Sequence, residues 1–352
     1  MRILITNIQL NHRTGTEIFV RDLAAELKSR GHEPLIYTPA PGVISDEVQA
    51  LGIPVFTRLA DVDAAPDVIH GHHCVQTLAA VRRFPRTPAI FVSHSHDADQ
   101  DKAPRHPAIR RYFGVSQVCI DRLVRDGLPE GRVEFLANFV DTRRFLPRPP
   151  LPPRPRRALV FSNYARSDTH LPAVVEACRR ARVELDVVGL WNGNPVDAPE
   201  RLLGQYDLVF AKAKSAIEAM AVGTAVVLCD YAGVGPAVNT SNFWALRRMN
   251  FGFQALSGPL TPEAVLASMD AHDPEEAAQV RDIIRSVATV EAAVDFLLGV
   301  YEEVLHQGPP GQKMRLGETV SLYLWEIRQR LGLNSQRLRS SLRQRVEPER
   351  RL

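Results

Sequence analysis

The sequence has few of the features that mark several large classes of protein. Only four cysteines occur in 352 residues, and they are scattered through apolar stretches without a CxxC pair: Cys74, Cys119, Cys178 and Cys229. This spacing predicts reduced core thiols in a cytoplasmic protein, and neither a disulfide scaffold nor a zinc site. No apolar run approaches the ~20 residues of a membrane-spanning helix. The opening MRILITNIQL becomes polar too soon for a signal peptide.

An excess of charge is also lacking. The formal net charge is only +3, which gives no general attraction to nucleic acid. Hydrophobic residues make up 45% and charged residues 24% of the chain, as in soluble globular proteins. A chain of this length can hold two ordinary domains and an appendage.

What is present is an alternation of short apolar strands and amphipathic helices. A buried strand at 3–6, a polar loop, a helix at 18–27 and a second strand at 35–37 open the chain. This order predicts a doubly wound α/β domain. The basic, proline-rich RPPLPPRPRR at 148–157 predicts a stiff linker, and strands and helices resume after it.

We therefore predict two Rossmann-like α/β domains facing a cleft: an acceptor-side domain at 1–147, the linker at 148–157 and a second domain at 158–306. A basic helical tail follows at 307–352, rich in arginine. Two readings of this tail stay open. It is either a frayed end or a surface helix that contacts anionic lipid at the inner face of the membrane or a partner protein.

The segment 207–238 reads as strand, helix, strand and glycine loop. Such a unit presents its loops at the carboxyl ends of the strands, where open parallel sheets bind ligands. Lys212, Lys214 and Glu218 lie near that rim, and Gly233 and Gly235 would let the backbone approach a ligand closely.

Within this segment EAMAVGTAVV resembles the donor-nucleotide half of GT-B glycosyltransferases, especially family 4. GTEIFVRDLAAELKSRGHE and GVSQVCIDRLVRDGLPEGRVEFLANFVDTRRF resemble two stretches of that family's first domain. The resemblance implies transfer of a hexose-type sugar, with retention, from a nucleotide-diphosphate sugar to an acceptor hydroxyl. The acceptor class stays open between a glycan, a lipid-linked molecule and a small molecule. No cofactor, metal or nucleic acid is expected.

The resemblance also implies roles for single residues. Glu218 would hold the ribose of the donor, although a glutamate near a helix N-terminus is also favoured by the helix dipole. Gly15 and Thr16 would lie near the donor phosphates or the acceptor, or would form a plain strand-to-helix turn. Of the two histidine clusters, HGHH and HSHD, the second points to His96 beside the transferred sugar, with His94 as the alternative.

Two family features are missing. The EGFG loop is absent, and Phe210 stands where the family has a second glutamate, eight positions before Glu218. The usual pair of phosphate-binding cations is reduced to Arg166. We expect Arg166, with either Lys212 or Lys214 and the amides of the Gly233–Gly235 loop, to offset the phosphate charge. The bland alternative for the two lysines is solvated surface charge.

Two other functions stay open. A nucleotide-sugar epimerase of related architecture would need carboxylates near the sugar, and Asp97, Asp99 and Asp101 are the acids clustered at that rim. A non-catalytic member would bind a nucleotide or a partner protein without turnover, as the missing motif residues would allow.

Overall fold

The computed structural model describes residues 1–310. The predicted basic tail lies outside these residues except for its first four positions. No helix in this part of the chain is both long and apolar enough to cross a membrane.

The first domain is built on a seven-stranded parallel sheet in the order β3-β2-β1-β4-β5-β6-β7. Its central strands are buried on both faces, as the apolar runs of the sequence predict. The strands are β1 (Arg2–Thr6), β2 (Glu33–Tyr37), β3 (Val55–Phe56), β4 (Val68–His72), β5 (Ala89–Ser93), β6 (Ile109–Gly114) and β7 (Val133–Phe135). The α-helices are α1 (Gly15–Ser29), α2 (Val43–Ala50), α3 (Cys74–Arg83) and α4 (Gln117–Arg125).

The second domain contains a five-stranded sheet in the order β12-β11-β10-β8-β9. Four of its strands are parallel: β8 (Arg157–Phe161), β9 (Glu184–Val188), β10 (Leu208–Ala211) and β11 (Ala225–Asp230). The edge strand β12 (Gly233–Ala237) runs antiparallel to β11. The α-helices are α5 (Leu171–Ala181), α6 (Pro199–Leu202), α7 (Ala213–Val222), α8 (Phe243–Arg248), α9 (Pro262–Met269), α10 (Pro274–Val287) and α11 (Val290–His306). The prediction of an α/β protein with two Rossmann-like sheets is confirmed.

The last helix does not stay with the second sheet. One face of α11, which carries Val294, Leu297 and Tyr301, packs in the same core as β1 and α1 of the first domain. The predicted second domain, 158–306, therefore ends in a helix that completes the first. The amphipathic pattern of 289–305 shows that one face is buried, but the pattern does not show against which sheet.

Candidate active-site cleft

A cleft lies where the carboxyl ends of the parallel strands of both sheets meet. It holds a larger cavity of about 310 Å³ and a smaller one of about 260 Å³. The two cavities are adjacent and share one wall, which is formed by Thr14, Gly15, Phe161, Ser162, Asn163, Lys214 and Ser215. Open α/β sheets bind ligands at this edge.

Glu218 lines the larger cavity from helix α7. Its side chain is buried, and Lys214 Nζ lies 4.0 Å from one carboxylate oxygen. Burial raises the pKa of Glu218 to about 7, and the charge of Asp22 adds to the rise while Lys214 opposes it. The structure thus brings the predicted ribose ligand into the cleft, and its role remains a prediction.

The N-terminus of α1 faces both cavities. Gly15 begins the helix and lines both, and Thr16 lines the smaller one. A side chain at Gly15 would meet nothing within 4 Å, so the space beside this residue is open to a ligand. The first amides of a helix have no partner within it and favour anions, which makes this end a suitable place for phosphate.

The two predicted lysines differ in what they contact. Lys214 is buried and joins the domains: its Nζ donates to Asp22 Oδ2 at 2.9 Å and to the carbonyl of Phe139 at 2.7 Å. Lys212 lines only the smaller cavity, where its Nζ lies 3.7 Å from Asp230 and 4.4 Å from the centre of the Phe253 ring. Burial lowers the pKa of Lys212, and Asp230 opposes that shift. Neither lysine is a plain solvated surface charge.

Arg166 lies apart from both cavities. Its guanidinium is bound to Asp168 at 2.8 Å and stacks over the ring of Trp191 at 5.1 Å. The sequence identified it as the only cation of its loop, but the loop carries the side chain outward.

The prediction of a glycine loop at Gly233 and Gly235 is wrong, because both residues belong to strand β12. A Cβ on Gly233 would lie 2.4 Å from the carbonyl of Leu256, and one on Gly235 would lie 2.5 Å from the carbonyl of Ala255. Close approach of the chain at 255–258 explains both glycines, and neither residue lines a cavity.

The two candidate histidines are also separated. His94, the first residue after β5, lines the smaller cavity. His96 is exposed and lines neither cavity. The structure thus places the alternative candidate, and not the leading one, against the cleft. Among residues 1–310, no group of three or more His, Cys, Asp and Glu side chains is arranged to hold a metal ion.

Sequence reasoning missed several polar residues of the cleft. Arg13 and Arg21 line the larger cavity from the first domain, and Asp230 lines the smaller one. Arg13 links the domains, since it pairs with Glu47 and lies 3.2 Å from Asp197. Asp230 was detectable as the polar residue that ends a buried parallel strand. The two arginines belong to the first domain, whereas the sequence predicts the phosphate-binding cations in the second.

Comparison with known proteins supports the fold and the first domain. A model of Glycosyltransferase Family 4 matches residues 13–144, and no curated protein matches the sequence. A glycosyltransferase from Rickettsia africae superposes with a TM-score of 0.62 at 14% identity, over 86% of this chain and 98% of that one. Anabaena HepE, crystallised with UDP and glucose, gives 0.60 at 14% identity, over 86% and 99%.

A putative UDP-N-acetylglucosamine 2-epimerase from Listeria monocytogenes gives a TM-score of 0.55 at 13% identity, over 89% of this chain and 99% of that one. The match of the first domain and the shared two-sheet architecture lead to one conclusion. Residues 13–144 are similar to Glycosyltransferase Family 4, and the described part of the chain has the GT-B fold of these solved structures.

Proposed function

We propose that the protein is a glycosyltransferase that moves a hexose-type sugar from a nucleotide-diphosphate sugar to an acceptor hydroxyl. The observation that carries this proposal is the position of Glu218, which is buried in the wall of the same cavity that the N-terminus of α1 lines. A carboxylate can accept hydrogen bonds from both ribose hydroxyls, and the helix end can receive the phosphates.

The larger cavity suits the nucleoside. Beyond Glu218 it has an apolar end formed by Leu190, Pro195 and Val196, which can cover the face of a base. Gly189 also lines it; its N–H donates to the carbonyl of Asn194 at 2.9 Å, and its carbonyl, which accepts from Asn194 N at 3.2 Å, has a second lone pair for the base edge. HepE, which shares the fold, was crystallised with UDP-glucose as well as with UDP.

The diphosphate would lie between the nucleoside and the smaller cavity. Four arginine and lysine side chains line the larger cavity, and each is already paired with a carboxylate: Arg13, Arg21, Arg144 and Lys214. Part of this pairing would be exchanged for phosphate on binding, and the α1 amides add to it. Preorganised groups of this kind stabilise a leaving phosphate as negative charge develops on it.

The smaller cavity would hold the sugar and the acceptor. His94, Asn250 and Lys212 line it, and the Asp230 carboxylate accepts a hydrogen bond from Ser162 Oγ at 2.8 Å. We propose retention at the anomeric carbon on the strength of the family 4 match. The anomer that forms first during slow hydrolysis of the donor, followed by proton NMR, tests that part.

A nucleotide screen tests the donor site. Under this proposal one nucleoside diphosphate or its sugar raises the melting temperature by mass action, and Glu218→Ala removes most of the rise. Glu263→Ala, which alters an exposed acid of the same domain, is the matched control. A chain that no nucleotide stabilises, or an unchanged rise in Glu218→Ala, would contradict the assignment.

Turnover then separates the classes of function. Release of nucleoside diphosphate together with a new glycoside supports the transferase, and an epimerised sugar without acceptor supports the epimerase. Of the acids proposed for the epimerase, Asp97, Asp99 and Asp101, none lines either cavity. Nucleotide binding without turnover of any donor would indicate a non-catalytic member.

A further inference from the structure

Two histidines form a hydrogen-bonded pair at the floor of the smaller cavity. His72, the last residue of β4, is completely buried. Its Nδ1 lies 2.8 Å from Nε2 of His94, which lines the cavity. The ring of Phe19 packs edge-on against both imidazoles, at 5.3 Å from His72 and 5.1 Å from His94.

The backbone around His94 is fixed as well. Its amide donates to the buried carboxylate of Asp101 at 2.7 Å. Burial holds the pKa of both imidazoles well below the ordinary value, and the neighbouring histidines add to that shift. Both rings are therefore neutral near pH 7, and each carries a single N–H.

Only two arrangements of the protons satisfy the hydrogen bond between the rings. In the first, Nδ1–H of His72 donates to Nε2 of His94, and His94 keeps its own proton on Nδ1. In the second, Nε2–H of His94 donates to Nδ1 of His72, and the proton of His72 then lies on its Nε2.

The far side of His72 separates these arrangements. Its Nε2 is buried without a hydrogen-bond partner among the described residues. The second arrangement would leave an unpaired N–H in the protein interior, whereas the first leaves only a bare lone pair. Unpaired buried donors are rarer in proteins than unpaired acceptors. The first arrangement is therefore favoured.

We infer that His72 is a positioning residue that holds His94 in the Nδ1–H form. Nδ1 is the nitrogen that remains for a ligand, because Nε2 is occupied and no described residue bonds Nδ1. His94 then offers the cavity a fixed donor, suited to a sugar hydroxyl oxygen or a phosphate oxygen. With its only lone pair engaged by His72, it cannot take the proton of an acceptor hydroxyl.

This inference deepens the proposed function and rests on it for the identity of the ligand. The tautomer itself can be measured without turnover. In the full chain labelled with ¹⁵N-histidine, two-bond ¹H–¹⁵N correlations of His94 should show the proton on Nδ1. A proton on Nε2 overturns the inference, whatever the protein catalyses.

Substitutions test the positioning role. His72→Asn keeps an amide donor near the position of Nδ1, and His72→Ala removes it. His94 should keep the Nδ1–H form in His72→Asn and become a mixture of tautomers in His72→Ala. His70→Asn is the matched control, because His70 is equally buried but bonds Tyr301 and not His94.

Kinetics with UDP-glucose, or the sugar nucleotide that the screen selects, give the second measurement. We expect kcat to fall tenfold or more in His72→Ala and less than threefold in His72→Asn and His70→Asn, with the donor KM little changed in all three. A His72→Ala enzyme with the kcat of the unaltered protein overturns the positioning role. If NMR shows the Nδ1–H form of His94 but the protein turns over no donor, the inference about the histidine pair stands and only the proposed function is overturned.

Discussion

Two regions beside the cleft bury polar side chains by opposite means. In the histidine cluster of the first domain, His70, His72, His73 and His94 are held neutral, because burial lowers the pKa of each. In the ionic cluster between α1 and α7, Arg21, Asp22, Lys214 and Glu218 lie within 4.0 Å of one another in pairs.

The difference shows how each region limits its desolvation cost. A charge taken out of water must be neutralised by a proton or matched by a partner. The histidine cluster uses the first route and depends on pH. The ionic cluster uses mainly the second and depends on every member being present, and its one titrating member near neutral pH is Glu218, whose pKa burial raises to about 7.

Loss of Lys214 should be the most damaging change. Lys214→Met leaves Asp22 and Glu218 buried without their shared cation, and breaking a buried pair in this way costs about 3–5 kcal/mol of the free energy of unfolding. Urea denaturation measures the loss. Adding Asp22→Asn should recover part of it, and Lys102→Met, at an exposed ion pair, should cost less than about 1 kcal/mol. If Lys214→Met and Lys102→Met lower the free energy of unfolding equally, the buried ionic cluster stabilises the protein no more than an exposed ion pair does.

The histidine cluster should make the protein acid-sensitive. In the unfolded chain these histidines become protonated below about pH 6.5. In the folded protein burial lowers the pKa of His73 to about 4 and that of His70 to about 3. Each such histidine lowers the free energy of unfolding by about 1.4 kcal/mol per pH unit in that window. Denaturant titrations between pH 7 and 5 measure the slope.

Three buried acids oppose this trend. Burial raises the pKa of Glu218 to about 7, that of Asp101 to about 6 and that of Glu17 above its ordinary value, so the folded state binds their protons first as the pH falls. The four histidines outnumber the three acids, and the net effect should still be a loss of stability towards low pH. His70→Asn should reduce the slope by the contribution of one proton, and an unchanged slope would contradict the neutral assignment of His70.

Donor affinity should depend on pH through Glu218. If Glu218 binds the ribose as proposed, the carboxylate ionised above about pH 7 can accept from both hydroxyls, and protonation on acidification removes that capacity. The Kd for a nucleotide sugar should rise by up to about tenfold between pH 8 and 6. Calorimetry on Glu218→Gln, which cannot titrate, should give a weak and nearly constant Kd. If the Kd of both proteins changes with pH in the same way, Glu218 does not bind the ribose.

Arg166 should matter least. Its exposed pair with Asp168 is of a kind worth about 0–1 kcal/mol, and the side chain lines neither cavity. Arg166→Ala should change donor affinity by less than about twofold. A tenfold loss of affinity would restore the phosphate-binding role that the sequence suggests.

The local parts of the fold could be predicted from the sequence, and so could the position of Glu218. Apolar runs bounded by helix signals define β10, α7 and β11, and Gly223 ends α7 in the left-handed region as expected. Because the strand before α7 and the length of the helix are both readable, the rim position of Glu218 follows from them.

Features that depend on distant parts of the chain could not be read in this way. The glycines of β12 are required by the chain twenty residues later, which no local pattern contains. Whether His94 or His96 reaches the cleft depends on where β5 ends and how the next loop turns. The ionic cluster pairs α1 with α7, and such a contact appears only when the two domains are placed together.

The packing of α11 on the first sheet has one more consequence. The chain crosses between the lobes twice, and the two crossings lie side by side where Val140 and Thr289 form a parallel bridge. A cut within the proline-rich stretch falls after the first crossing, because Val140 and Phe145 already pack in the core of the second sheet. The two parts would still be held together by the packing of α11 on the first sheet. A shortened protein that stops before residue 290 would lack α11 and would expose the apolar surface of the first domain that this helix covers. Neither domain can therefore be produced alone by a single cut in the chain.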